Sequence, residues 1–219
     1  MITKIENMKR YILLSILLFF VFTPSVNAQN MATLFSGMPD EYVPHLESAW
    51  RKDLIDLYNT GKTASLKNTM EGTSTLLKLT ENYMLLQSTE RSTIEMKLLP
   101  LINNTNIICV VTTVNAPVAD SRIAFFTTEW KPLASDELFT PVTADWYLKE
   151  DVDKTTDAYK DIISRLDIEL IQYNLNPDNL TLTATYTTPL YLNKEDREKL
   201  TPYIKETPRL FTWESSRFK

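Results

Sequence analysis

The 219-residue chain has one cysteine, one histidine and three glycines, and each scarcity removes a class of function. A single thiol cannot close a disulfide within the chain, so the fold must rest on a packed core. Zinc sites need clustered Cys and His ligands, and Cys109 and His45 stand far apart. Any Ser-His-Asp arrangement must use His45, which sits in the proline-flanked stretch "EYVPHLES", and no Gly-x-Ser-x-Gly elbow exists. Gly37, Gly61 and Gly72 are too scattered to build a loop whose backbone cradles phosphate, which excludes a P-loop or dinucleotide fold. A formal charge of −5 without a basic cluster excludes a nucleic-acid-binding face.

The N-terminus is more informative. In "MKRYILLSILLFFVFTPSVNAQN", Lys9 and Arg10 precede an apolar run from Tyr11 to Phe22, and Val26-Asn27-Ala28 places small residues at a cleavage site. The run is shorter than the roughly 20 apolar residues of a membrane span. No cysteine lies nearby for lipidation. Residues 1–28 therefore read as a signal peptide cleaved after Ala28, and the expected location is the periplasm or the medium. The mature chain, 29–219, spans no membrane in this reading and carries −7, because Lys4, Lys9, Arg10 and Glu6 leave with the signal.

The mature chain reads as one α+β domain, with a possible subdivision near 132–156. In "ESAWRKDLIDLYNTGK", Trp50, Leu54, Leu57 and Tyr58 form one helical stripe, Ser48 is a candidate cap and Gly61 a candidate terminator. Arg51, Lys52, Asp53 and Asp56 read as its solvated face. From Thr73 the period becomes two. Strands are expected on both sides of Glu81-Asn82, in "STIEMKLLP", in "NIICVVTTV" and in "SRIAFFTTEW", which together make an antiparallel meander. In "STIEMKLLP", Ile94, Met96 and Leu98 share one face and Thr93, Glu95 and Lys97 the other.

"NIICVVTTV" is apolar on both faces, as expected of a central strand covered on both sides. Cys109 on it reads as a small buried hydrophobe, since a nucleophilic thiolate needs a cation, helix N-terminus or histidine beside it. Asp157 is expected to cap a short helix, and "IELIQYNL" and "LTLTATYTTPLYL" to form a hairpin with Thr181, Thr183, Thr185 and Thr187 outward. Asn193 is expected to open "KEDREKL", and "RLFTWES" to close the chain as a strand.

"IEMKLLPL", "IICVVTTVNAPVADS", "FFTTEWKPL", "YTTPLYLNKEDREKLTPYI" and "LFTWE" together resemble an uncharacterised family of exported Bacteroidetes proteins, classed as a domain of unknown function. The resemblance spans nearly all of the mature chain. It implies an envelope or secreted location and transfers no functional residue.

Two features remain as candidate chemistry. In "KEDVDKTTDAYKDI", Asp151, Asp153, Thr155 and Asp157 take alternate positions of a calcium loop, but Thr156 replaces the turn glycine and Ile162 the bidentate glutamate. A solvated acidic loop is the better reading, and no metal or cofactor is expected. Trp130, Trp146, Tyr147 and Trp213 lie near strand ends or in loops, where such rings either close the sheet or touch a ligand or partner. The favoured function is a non-enzymatic binding or interaction module of the cell envelope, holding a partner protein, glycan or small ligand. Two alternatives stay open: an enzyme acting on carbohydrate through carboxylates, and a lipocalin-like carrier whose sheet encloses an apolar ligand.

Overall fold

The computed structural model describes residues 30–219; the signal peptide read in residues 1–28 lies outside them. Two short helical segments, α1 (Met31–Ser36) and a 3₁₀ turn (Asp40–Tyr42), lead into α2 (Ser48–Asn59). Strands β1 (Ser65–Lys67), β2 (Thr73–Leu79), β3 (Tyr83–Thr89), β4 (Ser92–Pro100), β5 (Asn106–Asn115), β6 (Ala119–Thr127) and β7 (Pro132–Leu133) follow. They lie side by side in sequence order, every neighbour antiparallel, as a seven-stranded meander.

The remainder builds a second sheet and its supports. Helices α3 (Ala144–Tyr147) and α4 (Asp157–Ile163) precede β8 (Ile171–Leu175) and β9 (Thr181–Tyr186). Then come α5 (Thr188–Tyr191), α6 (Lys194–Leu200), a 3₁₀ turn (Thr201–Tyr203), β10 (Arg209–Glu214) and β11 (Arg217–Phe218). The second sheet is antiparallel with order β11-β10-β9-β8. The chain is thus α+β, with antiparallel sheets and a few packed helices.

Alternation on the long strands makes the large sheet the middle layer. Ile94, Met96, Leu98, Ile108 and Val110 face α1 and α2 and join Leu34, Phe35 and Leu54 in one core. Ile107, Cys109, Val111 and Phe125 face the other way, toward Tyr173, Leu182, Ala184 and Phe211 of the second sheet. Strand β5 is therefore covered on both faces, as its sequence predicts. Phe139, Val142 and Tyr147, from the connection after β7, pack into this second core. A smaller cluster of Ile162, Leu200 and Ile204 ties α4 to α6 and the following turn.

Local signals act as expected at several ends. Gly61 takes φ +70° just past α2. The Asn193 side chain accepts from the Asp196 backbone N–H and opens α6. Elsewhere the structure differs from the sequence reading. Thr156, one residue before Asp157, caps α4 through its hydroxyl. Glu47 holds the cap position of α2, while the Ser48 hydroxyl donates instead to Ser36 O at 3.0 Å. Thr187, expected outward, is buried and donates to Ala119 O at 2.6 Å.

Arg51 corrects the reading of α2 most sharply. The helical stripe puts it on the solvated face, yet it is 1 % exposed. Its guanidinium donates to Leu46 O at 2.5 Å and Asp40 Oδ1 at 2.9 Å, and also to Met38 O. Residues 38–46 hold only one 3₁₀ turn, and the Met38 and Leu46 carbonyls lie outside any helix or strand ladder, so one planar multi-donor side chain satisfies both. Arg51 thereby fixes the connection between α1 and α2. Arg51→Ala is expected to cost about 2–4 kcal/mol by leaving buried carbonyls unpaired, whereas exposed Lys52→Ala should stay within about 0.5 kcal/mol. Urea unfolding of the two variants checks this, and equal small losses would contradict the role given to Arg51.

Cys109 is fully buried, and burial pushes its thiol well above the ordinary range. It is a core residue rather than a nucleophile. Cys109→Ser should lower stability by about 1–3 kcal/mol, the cost of placing a hydroxyl in an apolar site. Loss of ligand binding at unchanged stability would instead give the thiol a direct role.

Candidate functional site

The inner face of the large sheet is not wholly apolar. Glu95 and Lys97 on β4 point the same way as Cys109 and Val111 and are buried at 4 % and 2 % exposure. Glu95 is held by three donors. Its Oε2 accepts from the Leu175 backbone N–H at 2.9 Å and Tyr83 Oη at 3.1 Å, and its Oε1 from Asn174 Nδ2 at 3.1 Å. Burial pushes the Glu95 carboxyl up, and the hydrogen bonds from Leu175, Asn174 and Tyr83 oppose that shift. Burial likewise lowers Lys97, whose Nζ donates to Pro177 O at 2.7 Å.

Leu175 is one of a series. On β8 the N–H groups of Ile171, Tyr173 and Leu175 point away from β9, along the outer edge of the second sheet. Ile171 N donates to Asp120 Oδ1 at 3.2 Å, Tyr173 N to Ser121 Oγ at 3.0 Å, and Leu175 N to Glu95 Oε2. Side chains of one sheet thus take the place of a strand at the edge of the other.

The junction leaves a cleft of about 610 Å³ between β6, the segment 135–142 and β8. Phe139, Val142, Ile171 and Tyr173 form its floor, all buried side chains of the inter-sheet core. Its polar groups include Arg122, Asp136 and Glu169, which are exposed, and Ser121 and Ser135, which are half-buried. Glu169 Oε2 also accepts from Ala144 N at 2.9 Å and so fixes the start of α3 beside the cleft. Burial holds the Tyr173 phenol up at about 12, so it stays a neutral donor at physiological pH. A second cleft, of about 480 Å³, is lined mainly by turn residues such as Glu81, Asn82, Asp178 and Asn179, with Lys97 among them. Glu95 lines neither.

The four aromatic candidates do not form one patch. Trp130 packs in the helix-side core against Tyr42 and Phe126, and its Nε1 donates to Leu34 O at 3.2 Å. It adopts φ +63°, costly for a bulky residue and held here by that packing. Trp213 is buried in the inter-sheet core, with Nε1 donating to Pro100 O at 2.7 Å. Tyr147 is buried, donates to Ala184 O at 2.7 Å and is raised by burial to about 12. Trp146 alone of the four is half-exposed, and Lys205 and Arg209 lie over its ring.

His45 lies before α2 and lines neither cleft. In the acidic loop, Asp153 Oδ1 accepts from both the N–H and the hydroxyl of Thr155, which commits that carboxylate to a turn. Among the described residues no group of three or more His, Cys, Asp or Glu is arranged to hold a metal. No described helix is long and apolar enough to cross a membrane.

A family model described as a protein of unknown function (DUF3256) matches residues 23–218. The chain belongs to the DUF3256 family. The fold also resembles a solved domain of an uncharacterized protein from Porphyromonas gingivalis W83, at 30% identity and a TM-score of 0.77. The alignment covers 86% of this chain and 96% of that one. Comparison with curated proteins gives no match. The resemblance to a Bacteroidetes family read from the strand sequences is thus supported over almost the whole DUF3256 chain, and neither comparison assigns an activity to a residue.

Sequence reasoning missed Glu95 and the cleft floor in this DUF3256 protein. A signal for Glu95 is present in the sequence: β4 pairs along the doubly covered β5, which brings its polar face close to the covering layer. Because the folded Glu95 carboxyl is raised above its unfolded value, the folded state binds the extra proton between the two. The resulting stability is fully present below the unfolded pKa and is lost as pH rises through the folded one. The stability of the wild type minus that of Glu95→Gln should therefore fall as pH is raised from about 4 to about 7. Urea titrations across that range measure it, and a flat or rising difference would contradict the burial-dominated carboxyl.

Proposed function

We propose that this chain is a non-enzymatic binding module whose ligand occupies the 610 Å³ cleft between β6, segment 135–142 and β8. The observation that carries the reading is the cleft's construction: an apolar floor on rigid core residues with polar groups at the rim, the usual form of a small-molecule site. Three carboxylates, Asp120, Asp136 and Glu169, face one cation, Arg122, so the ligand combines an apolar body with a donor-rich or cationic end. The export signal read in residues 1–28 supports an envelope or secreted site of action.

The competing readings gain less support. An acid/base enzyme would place a carboxyl with a shifted pKa in a concave site. Among the described residues, the one buried carboxyl raised by its surroundings, Glu95, has both oxygens committed to holding β8 and lines neither cleft. A lipocalin-like carrier needs an open space between its sheet faces, and Cys109, Val111, Phe125, Leu182 and Phe211 fill that space with side chains.

Native mass spectrometry of the mature protein, purified gently from its own host, tests the proposal. A retained small mass is expected in the wild type and should be lost, or bound at least tenfold more weakly, in Ser135→Trp, which fills the cleft rim. A mass retained equally by both would move the ligand elsewhere. Turnover of a glycan by the bare protein, abolished by Asp136→Asn, would replace the binding reading with the enzymatic one.

A further inference from the structure

A third cleft, of about 270 Å³, opens where β10 meets β11 and the segment around Thr140. Its charged lining is Arg209, Arg217 and Lys219, with no acidic side chain among them, in a chain whose formal charge is −5. None of these three cations forms a salt bridge among the described residues. Arg209 is unusually well prepared. Its guanidinium carbon lies 4.5 Å from the Phe211 ring centroid and 5.4 Å from that of Trp146, so aromatic rings hold the plane. Its side chain donates no hydrogen bond among the described residues, which leaves a positioned fork of N–H donors without an acceptor. Arg217 makes one long contact, 3.4 Å, to Thr140 Oγ1.

Converging like charges in one small cleft repel each other and attract a compensating anion, and a concave wall concentrates that field. The three cations bring a formal +3 to the cleft with no acidic side chain beside them. That balance matches a dianion better than a carboxylate. Arginine forks suit tetrahedral phosphate oxygens, which accept paired N–H bonds. We propose that this cleft binds a phosphate group, with Arg209 and Arg217 donating to its oxygens, Lys219 adding charge and Trp146 flanking whatever carries the phosphate. The site is separate from the apolar-floored cleft and does not depend on its role.

Tryptophan fluorescence titration of the full mature chain with inorganic phosphate, glucose 6-phosphate and acetate tests this, with Trp146→Phe identifying the reporting ring. Saturable binding of at least one phosphate compound is expected, with acetate at least tenfold weaker. Arg209→Gln and Arg217→Gln should each weaken binding about tenfold or more, Arg209→Lys by less, and exposed Lys52→Gln not at all. Unfolding midpoints without phosphate show that each variant is folded, and the two arginine variants are independent of each other. Tighter binding of glucose 6-phosphate than of inorganic phosphate identifies an ester as the ligand, and the reverse identifies the free ion. Absence of saturation with both, equal binding of acetate, or equal weakening by Lys52→Gln overturns the proposal.

Discussion

The architecture depends on how the free edge of β8 is closed. An edge strand leaves a row of backbone groups unpaired, and a buried donor without an acceptor costs about 1–3 kcal/mol. Here the three outward N–H groups, on Ile171, Tyr173 and Leu175, meet the side chains of Asp120 and Ser121 on β6 and Glu95 on β4 of the large sheet. The contact sets the height and angle at which the second sheet stands on the first. It also explains a charged residue in a core: a carboxylate accepts several donors at once, and Glu95 takes Tyr83 and Asn174 as well as the strand edge.

The clefts follow from that joint. Where the β8 edge meets the large sheet, space remains on either side of the contact line. The space toward β6 is floored by Phe139 and Val142, which the connection after β7 carries in, and becomes the apolar-floored cleft. The opposite end of the joint, where the β8–β9 turn passes Lys97, becomes the polar one. The basic cleft lies at the β10–β11 edge of the second sheet, where the hairpin through Ser215 and Ser216, both at positive φ, returns Arg217 beside Thr140. Structural polarity and candidate function are therefore drawn from different residues, with Glu95 serving the first and Arg209 the second.

Much of the fold was legible because its contacts are local. The meander from β2 to β6, the doubly covered β5, the buried Cys109, the Asn193 cap and the closing strand at Arg209–Glu214 all follow from alternation and turn residues read over ten or so positions. What escaped depended on distant partners. Arg51 looks like any helix-surface cation until the carbonyls of Met38 and Leu46 are placed around it. Glu95 looks like the polar half of an amphipathic strand until Leu175 arrives across a separation of 80 residues. The aromatic candidates could be read as rings near strand ends, but not that three are buried while Trp146 remains half-exposed beside Arg209. Neither Phe139 nor Tyr173 carries a local mark of lining a cleft.

The all-neighbour order of the large sheet has a kinetic consequence. Each of its strands pairs with the one just made, so the sheet can assemble by successive hairpin closure at low entropic cost, whereas β8 must find β4 and β6 over long chain separations. The topology favours a large sheet that forms first and waits for its partner. In a large sheet formed ahead of its partner the inner face would meet water, and Thr93, Glu95, Lys97, Thr113 and Ser121 would interrupt an otherwise continuous apolar surface around Cys109 and Val111. Glu95 and Ser121, which close the β8 edge in the finished fold, would then also hinder pairing between incomplete copies.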